Sequence, residues 1–325
     1  MKVLVAGGAG YIGSVTTQLL CDEGHEVCVF DNGERGHRAA VDERAAFVQG
    51  DLRRADEIRG AMMEFSPDAV MHFAAYIEVG ESMKQPVPFF RNNVSGGLNL
   101  LEAVLEAGVS KIIFSSTCAV YGTPERVPMD ESLPRRPESV YGESKLMFER
   151  MLEWAETIHG IEPVFLRYFN AAGATEKFGE AHEPETHLIP LVLQVPLGRR
   201  DKIFIFGDDY DTPDGTCIRD YIHIRDLARA HLLALNPGTR GAFNLGNGSG
   251  YSVREVIETA RAVTGHPVPA EVRPRRPGDC VRLVADASRA RRELGWTPEH
   301  PGLQSIVADA WNWHRAHPEG YGDCD

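Results

Sequence analysis

Tyr141 and Lys145 stand four residues apart in Tyr141-Gly142-Glu143-Ser144-Lys145, where a helical pattern begins that continues through Leu146-Met147-Phe148-Glu149. Residues at that spacing share one helix face, so a phenol and an ammonium can point into the same cleft. A neighbouring ammonium favours the phenolate and lowers a tyrosine pKa from its usual value of about 10. A phenol so placed works as a base near neutral pH. The same spacing also describes an exposed tyrosine and a solvated lysine on an ordinary helix, so the pair takes its meaning from its surroundings. Ser115-Ser116-Thr117 closes a strand pattern that starts at Lys111. A hydroxyl there either caps the strand end or relays a proton between a substrate and Tyr141.

Gly7, Gly10 and Gly13 follow the first strand pattern and open the first helical one. Small residues at such a junction let backbone N–H groups approach a pyrophosphate at a helix N-terminus. The spacing is G-x-x-G-x-x-G, which a tight turn alone would also use. Asp31 ends the second strand pattern about twenty residues on, where a carboxylate reaches the ribose hydroxyls of a dinucleotide. The plainer reading of Asp31 is a helix or turn cap. A carboxylate there repels a 2′-phosphate, which favours NAD over NADP, although Arg35 nearby keeps NADP open. Asp51, in Gly50-Asp51-Leu52 after the third strand, is placed to reach an adenine amino group or to cap the next helix.

The elements that must position these groups alternate as a parallel α/β sheet requires. Strand patterns cover Val3–Ala6, Val27–Asp31, Ala46–Gln49, Ala69–Phe73, Lys111–Ser115 and Val164–Arg167, with helices such as Tyr11–Glu23, Ala55–Phe65 and Asn92–Ala107 between them. Ligands of such sheets sit at the carboxyl ends of the strands. After about residue 170 the character changes. The stretch Asn170–His187 has little periodicity and precedes shorter elements: helices near Leu188–Leu197, Ile224–Leu235, Val253–Val263 and Leu303–Ala316, a strand at Ile203–Phe206 and a loop at Arg273–Gly278. Residues 1–170 read as the dinucleotide-binding unit. Residues 171–325 read mainly as a smaller substrate unit, with segments near 224–250 returning to the sheet.

A chain of 325 residues with 43% hydrophobic content builds a full core. The net charge of −13 repels polyanions, so no nucleic-acid partner is expected. The six cysteines are scattered without a CxxC, and no histidines cluster at metal-ligand spacing. Neither a disulfide framework nor a metal is called for, and a reducing cytoplasm is the expected setting. The chain starts directly on strand-like Met1–Ala6, and no apolar run reaches the ~18 residues of a membrane span, so no membrane partner is expected.

Longer motifs run nearly end to end: GGAGYIG at Gly7–Gly13, FDN at Phe30–Asn32, HFAA at His72–Ala75, VGES at Val79–Ser82, NNVSG at Asn92–Gly96, FSST at Phe114–Thr117, LRYFNAAGA at Leu166–Ala174, IFGDDY at Ile205–Tyr210, DGTCIRDYIH at Asp214–His223, FNLGNG at Phe243–Gly248 and RRPGD at Arg275–Asp279. On these the chain resembles the extended short-chain dehydrogenase/reductase family and, within it, the nucleotide-sugar 4-epimerases. The resemblance implies an α/β fold, a Rossmann-type doubly wound parallel sheet with a smaller C-terminal α/β substrate-binding domain. It implies tightly held NAD, and a homodimer formed through helices near Pro86–Ala107 and Tyr141–Ile158. Its cofactor residues fall on Gly7, Gly10, Tyr11, Ile12, Gly13, Asp31, Asn32, Asp51, Leu52, Phe73, Ala74, Ala75, Asn92, Ser115, Tyr141, Lys145 and Tyr168. Its substrate residues fall on Thr117, Tyr141, Asn170, His187, Leu188, Phe204, Phe206, Arg219, Arg276, Asp279 and Leu283. Tyr141, Lys145 and Thr117 carry the catalysis.

The implied activity interconverts UDP-glucose and UDP-galactose through a 4-keto sugar and NADH, or epimerises another nucleotide sugar such as a dTDP-hexose, a UDP-uronate or a UDP-pentose. A 4,6-dehydratase needs an added acid and base after the hydroxyl trio, where related dehydratases carry Asp-Glu; this chain has Cys118-Ala119. A non-catalytic NAD-binding sensor is the alternative from another class, and such proteins tend to lose the Tyr/Lys pair. Three positions depart from the family pattern. Ile77 stands where relatives can carry a cofactor-reaching Lys, His187 replaces a polar Asn, and Leu283 gates the room beside the sugar 2-substituent. A leucine there suits hexoses better than N-acetylhexosamines.

Overall fold

The structure, a computed structural model, describes residues 1–276 and 278–322. Pro277 of the RRPGD motif and Cys324 lie outside the described residues. The first strand, β1 (Lys2–Ala6), has Val3, Leu4, Val5 and Ala6 fully buried. A strand covered on both faces is a continuous apolar run rather than an alternating one. The strands β2 (Glu26–Asp31), β3 (Ala46–Gln49), β4 (Ala69–His72), β5 (Lys111–Thr117) and β6 (Glu162–Tyr168) follow, interleaved with α1 (Tyr11–Asp22), α2 (Ala55–Phe65), α3 (Val79–Ser82), α4 (Pro86–Phe89), α5 (Gly96–Glu106) and α6 (Val140–His159).

The remainder comprises β7 (Asn170–Ala172), α7 (Leu188–Leu193), β8 (Ile203–Phe206), β9 (Ile218–Arg219), β10 (Tyr221–His223), α8 (Ile224–Leu233), β11 (Gly241–Leu245), β12 (Tyr251–Ser252), α9 (Val253–Thr264), β13 (Ala270–Arg273), β14 (Arg282–Leu283) and α10 (Leu303–Ala316). A seven-stranded sheet runs in the order β3-β2-β1-β4-β5-β6-β11, and every neighbouring pair in it is parallel. The expected doubly wound α/β architecture is the one observed. One face packs Val3, Val5, Val27 and Val29 against α1 and α8, through Leu20 and Leu227. The other packs Leu4 and Ala6 beneath Met62, Leu100, Phe148 and Leu152 of α2, α5 and α6. A separate apolar cluster joins Val192, Ile203, Val256 and Ile306 in the C-terminal half.

Three differences from the sequence reading matter for the site. β5 runs two residues past the expected Ser115, so Thr117 is its last residue. The expected helix Asn92–Ala107 begins instead with a π-helical turn, Phe90–Ser95, ahead of α5. Widened turns of this kind re-aim side chains. Here Asn93 receives the Tyr76 N–H at 2.8 Å and donates to the Tyr76 carbonyl and Ser144 Oγ, each at 3.0 Å. Finally, Gly241–Leu245 is a strand, although its glycine and Asn244 break the apolar pattern. The structure satisfies Asn244, which accepts from Tyr121 OH at 2.7 Å and donates to the Met129 carbonyl at 2.9 Å.

Candidate active site

The Ser139 hydroxyl caps α6, accepting from Gly142 N at 3.1 Å, so the helix starts just before Tyr141. Gly142 is demanded by a close approach: a Cβ there would lie 2.6 Å from the Ala119 carbonyl oxygen. Tyr141 and Lys145 are both buried, and so is Thr117 at the end of β5. The Thr117 hydroxyl accepts from Ala119 N at 3.2 Å, and Thr117 is close enough to Tyr141 to favour its ionised form. Lys145 Nζ donates to the Ser115 carbonyl at 3.0 Å and lies 4.8 Å from the centre of the Phe114 ring.

The spacing therefore delivers the shared face, but the electrostatics differ from the expectation. Lys145 Nζ is 6.0 Å from the Tyr141 ring centre. Burial raises the Tyr141 pKa well above that of a free tyrosine, Tyr168 adds to the rise, and Thr117 opposes it. Burial also pulls the Lys145 ammonium down to about 7, against the pull of Glu149. Desolvation wins in both cases because each charged form has lost its water. The protein groups alone hold Tyr141 as a neutral phenol and leave Lys145 poised near neutrality.

The residues read as cofactor contacts lie along the carboxyl ends of β1 to β6. Helix α1 follows Gly10, and no side chain caps its first turn, so the N–H groups of Tyr11, Ile12 and Gly13 face outward without a capping acceptor. Gly7 has φ +84°, and a Cβ on it would lie 2.4 Å from Ala74 N; a Cβ on Gly13 would lie 2.2 Å from the Gly7 carbonyl oxygen. This turn is a cradle that any side chain would fill, which fits a pyrophosphate. The buried Asp31 carboxylate accepts from Ala9 N at 3.0 Å and Gly33 N at 2.9 Å. It braces the turn, and each oxygen keeps a further acceptor position.

Asn32 donates to Asp51 at 3.3 Å, and a hydrogen bond from the Arg53 guanidinium holds the Asp51 carboxyl down at about 2. Asp51 does not cap α2, whose N-cap is Arg54. Arg35 is occupied by Glu78 at 3.1 Å and by the Glu183 carbonyl at 2.6 Å. Leu52 is buried beneath Gly96, Phe73-Ala74-Ala75 continue from β4, and Asn92 sits in the π-turn. Ser115 Oγ and Tyr168 OH are 2.9 Å apart.

Of the residues read as substrate contacts, Thr117 and Tyr141 belong to the set just described, and the rest come from the C-terminal half, beginning with Asn170 on β7. Asn170 donates to the Asp220 carbonyl at 3.1 Å. His187 is the N-cap of α7 and Leu188 its first residue. Along β8, Phe204 and Phe206 share the half-buried side, opposite buried Ile203 and Ile205. Arg273 lies 4.9 Å from the Phe204 ring centre and Arg276 lies 4.7 Å from that of Phe206. Arg219 and Arg276 converge on Asp279, at 3.5 and 3.0 Å. Leu283 pairs with Arg219 in register, and it packs with Cys118 against the cluster around Val120, Leu146 and Phe169.

Several residues that shape the site escape sequence reading. Fully buried Glu149 accepts from Ser116 Oγ at 2.6 Å and from Arg167 Nη2 at 2.6 Å. Arg167 reaches on to Tyr121 OH at 2.9 Å. Glu149 lies four residues after Lys145, so the helix-face argument that pairs Tyr141 with Lys145 also points to it. Asp220 accepts from the backbone N–H groups of Asn247, Gly248 and Ala285 at 2.8, 2.9 and 3.0 Å and thereby ties three loops together. Nothing local in the sequence signals that.

A doubly wound sheet with a glycine turn after β1 and a buried Thr-Tyr-Lys set at the end of β5 defines a dinucleotide-dependent enzyme of the short-chain dehydrogenase/reductase type. The chain belongs to the NAD dependent epimerase/dehydratase family, which residues 3–246 match. It is 52% identical over 327 residues to the UDP-glucose 4-epimerase of Halalkalibacterium halodurans, covering 99% of this chain and 98% of that protein. A crystal structure of a UDP-glucose 4-epimerase superposes with TM-score 0.97 at 50% identity, covering 99% of this chain and 100% of that one. The Bifidobacterium longum UDP-glucose 4-epimerase, solved in complex with NAD+ and UDP, superposes with TM-score 0.94 at 38% identity, covering 98% and 100%. The chain is thus an NAD-dependent isomerase.

The depressed Lys145 pKa makes a stability prediction. A lysine that titrates near 7 when folded and near its usual value when unfolded penalises folding most below pH 7. The penalty shrinks as pH rises from 7 towards about 10.5. Lys145→Met is expected to raise the melting temperature of cofactor-stripped protein at pH 6–7 and to lose that advantage progressively towards pH 10. Melting curves across this range check it; a constant difference between the two proteins would refute the buried-charge account.

Proposed function

We propose that this chain interconverts UDP-glucose and UDP-galactose at the sugar C4, with Tyr141 as the group that moves the proton. The joint burial of Thr117, Tyr141 and Lys145 at the carboxyl end of β5, with Lys145 bonded to the Ser115 carbonyl, carries the reading. NAD, when bound, supplies the acceptor and then the donor of the C4 hydride. The Gly7–Gly13 turn offers its N–H edge to the pyrophosphate, Asp31 accepts from the adenosine ribose, and Tyr168 and Ser115 line the nicotinamide end. As the phenolate, Tyr141 Oη takes the proton of the 4-hydroxyl, directly or through Thr117 Oγ1, becomes the neutral phenol, and returns the proton after the sugar has turned. Because the protein alone favours the phenol, Tyr141 first gives its own proton to solvent, and positive charge at Lys145 favours the phenolate that results.

Arg219, Arg276 and Asp279 grip the nucleoside diphosphate, with Phe206 and Phe204 as flat surfaces, and Asn170 and Leu188 complete the rim. Guanidinium groups suit phosphate oxygens through paired, charge-assisted bonds. Leu283 limits the space near Thr117. The neighbouring Cys118 cannot replace the dehydratase acid, since burial pushes its thiol up to about 12.

The working form is a homodimer. Trp154 and Ile158, each 67% exposed and one turn apart on α6, together with Leu98 on α5 and Val87 on α4, form an apolar surface that suits a second copy. The cytoplasm is the setting that fits the described cysteines, none of which is in a disulfide. Among the described residues no helix is long and apolar enough to cross a membrane.

Tyr141→Phe is expected to lower turnover of UDP-galactose to UDP-glucose by roughly 10²–10⁴-fold while retaining NAD. Product analysis over a nucleotide-sugar panel checks both base and sugar; near-normal turnover by the variant would sink the assignment. Leu283→Gly is expected to shift kcat/KM towards UDP-N-acetylglucosamine relative to UDP-glucose by about tenfold, and an unchanged ratio would remove Leu283 as the gate. Trp154→Glu should convert the dimer to a monomer in sedimentation velocity, whereas a monomeric unaltered protein would overturn the dimer.

A further inference from the structure

Between β7 and α7 the chain runs through a long irregular segment. Four of its side chains, Glu180, His182, Glu185 and His187, converge so that their ligating atoms all lie within 4.8 Å of one another. Glu180 is only 5% exposed. His182 Nδ1 lies 2.7 Å and His187 Nδ1 3.0 Å from the same oxygen, Glu180 Oε1. His187 Nδ1 also lies 2.9 Å from Glu185 Oε1. One ring nitrogen carries at most one hydrogen, so His187 Nδ1 cannot donate fully to both carboxylates it faces. Glu185 Oε1 also accepts from Thr186 N at 2.6 Å and His187 N at 2.7 Å, so the backbone fixes that carboxylate beside the two imidazoles and Glu180, and the sharing of His187 Nδ1 is the conflict left at their common point.

A cation at that point resolves the conflict, because both ring nitrogens and both carboxylates then act as lone-pair donors. Two imidazoles with two carboxylates suit Zn²⁺ and neighbouring transition metals, whereas Ca²⁺ and Mg²⁺ prefer all-oxygen sets. Metal bonds of about 2.0–2.1 Å place tetrahedral ligand atoms about 3.3–3.4 Å apart. The present contacts of 2.7–3.0 Å need to open by a few tenths of an ångström, and the wider pairs of the set, which lie within 4.8 Å, need to close around the ion. We propose that Glu180, His182, Glu185 and His187 form a binding site for a single divalent transition-metal ion, with Zn²⁺ the best fit.

Four protein ligands leave no open position, so the ion is structural rather than catalytic. Its place in the fold shows what it fastens. Tyr11 OH donates to the Gly173 carbonyl at 2.6 Å, His37 Nε2 contacts the Ala181 carbonyl at 3.0 Å, and Arg35 donates to the Glu183 carbonyl at 2.6 Å. The segment is therefore tethered to the glycine-turn side of the sheet, and it ends at the N-cap of α7. The ion locks these two regions together and takes His187 out of direct substrate contact. Contrary to the expectation that no histidines stand at metal-ligand spacing, His182 and His187 form an H-x4-H pair within the H-x3–5-H range of zinc ligands; the convergence of Glu180 and Glu185 on it is what the sequence conceals.

The test uses the full chain. Chelator-treated protein is titrated with Co²⁺ and then with Zn²⁺, following visible ligand-field bands, bound metal by mass spectrometry, and melting temperature. One equivalent per chain is expected, with bands of a four-coordinate Co²⁺ site that Zn²⁺ displaces, and a melting temperature raised by saturating Zn²⁺. His182→Ala and Glu185→Gln are each expected to weaken uptake by at least about tenfold. Failure of the unaltered protein to take up a stoichiometric ion overturns the site, as does uptake by both variants equal to that of the unaltered protein. The titration of the unaltered chain decides the matter even where a variant fails to fold.

Discussion

The structure depends on burying charge beneath Tyr141. Lys145, Glu149 and Arg167 are all almost solvent-free, in a region where an unpaired charge is prohibitive. Glu149 and Arg167 meet through two contacts, Nε to Oε1 at 2.9 Å and Nη2 to Oε2 at 2.6 Å. Ser116 adds a hydroxyl to Glu149, and Tyr121 links Arg167 to Asn244. Breaking such a pair by removing one partner costs about 3–5 kcal/mol, because the other is left buried and uncompensated. The register of α6 against β5, β6 and β11 is set by that requirement, since each supplies one member: Glu149, Ser116, Arg167 and Asn244. The orientation of Tyr141 and Lys145 follows, because they ride on the same face of α6 as Glu149.

That arrangement also explains the ionisation states. Burial drives Tyr141 up and Lys145 down, and the Glu149 carboxylate opposes the fall at Lys145. Glu149 is itself compensated by Arg167, so little of its field is left for Lys145. The outcome is a lysine near neutrality whose charge responds to small changes in its surroundings. A proton-transferring tyrosine gains from such a neighbour: the phenol is stable at rest, and an ammonium beside it favours the phenolate that must be present before the sugar's proton can be taken.

How much of this is legible in the sequence depends on the range of the forces. The glycine turn, Asp31 at the end of β2, and the shared face of Tyr141 and Lys145 are local consequences of strand-turn-helix order and helical pitch. The sequence reading places them correctly. The pKa directions are not local. They come from Tyr168 on β6 and from the desolvation that the whole sheet imposes, so an argument from two neighbouring residues gives the wrong sign for Tyr141. Gly241–Leu245 is unreadable as a strand because Asn244 looks like a breaker until Tyr121 and Met129 are brought to it. The convergence of Arg219 and Arg276 on Asp279 mixes one contact between neighbours with one across some sixty positions (|i−j| = 60). Only the former has a sequence signal.

A 4-epimerase must grip one end of its substrate and release the other, and the distribution of polar groups accords with that demand. The proposed nucleotide grip is dense in charge: two guanidinium groups around one carboxylate, with aromatic rings beneath the neighbouring arginines. The wall where the sugar would turn has little to hold it. Leu283 and Cys118, both partly buried, are apolar there, and desolvation pushes the Cys118 thiol up to about 12, so it stays neutral. Directional bonds to the ring hydroxyls would fix one face of the sugar, whereas an apolar wall penalises neither face. Thr117 and Tyr141, the polar groups proposed to meet the reacting carbon, adjoin that wall, on elements locked by the buried Glu149–Arg167 pair. A rigid proton site beside an apolar wall is thus compatible with proton transfer at C4 in both sugar orientations, because the firm grip on the nucleotide and the fixed proton site leave the sugar itself free to turn.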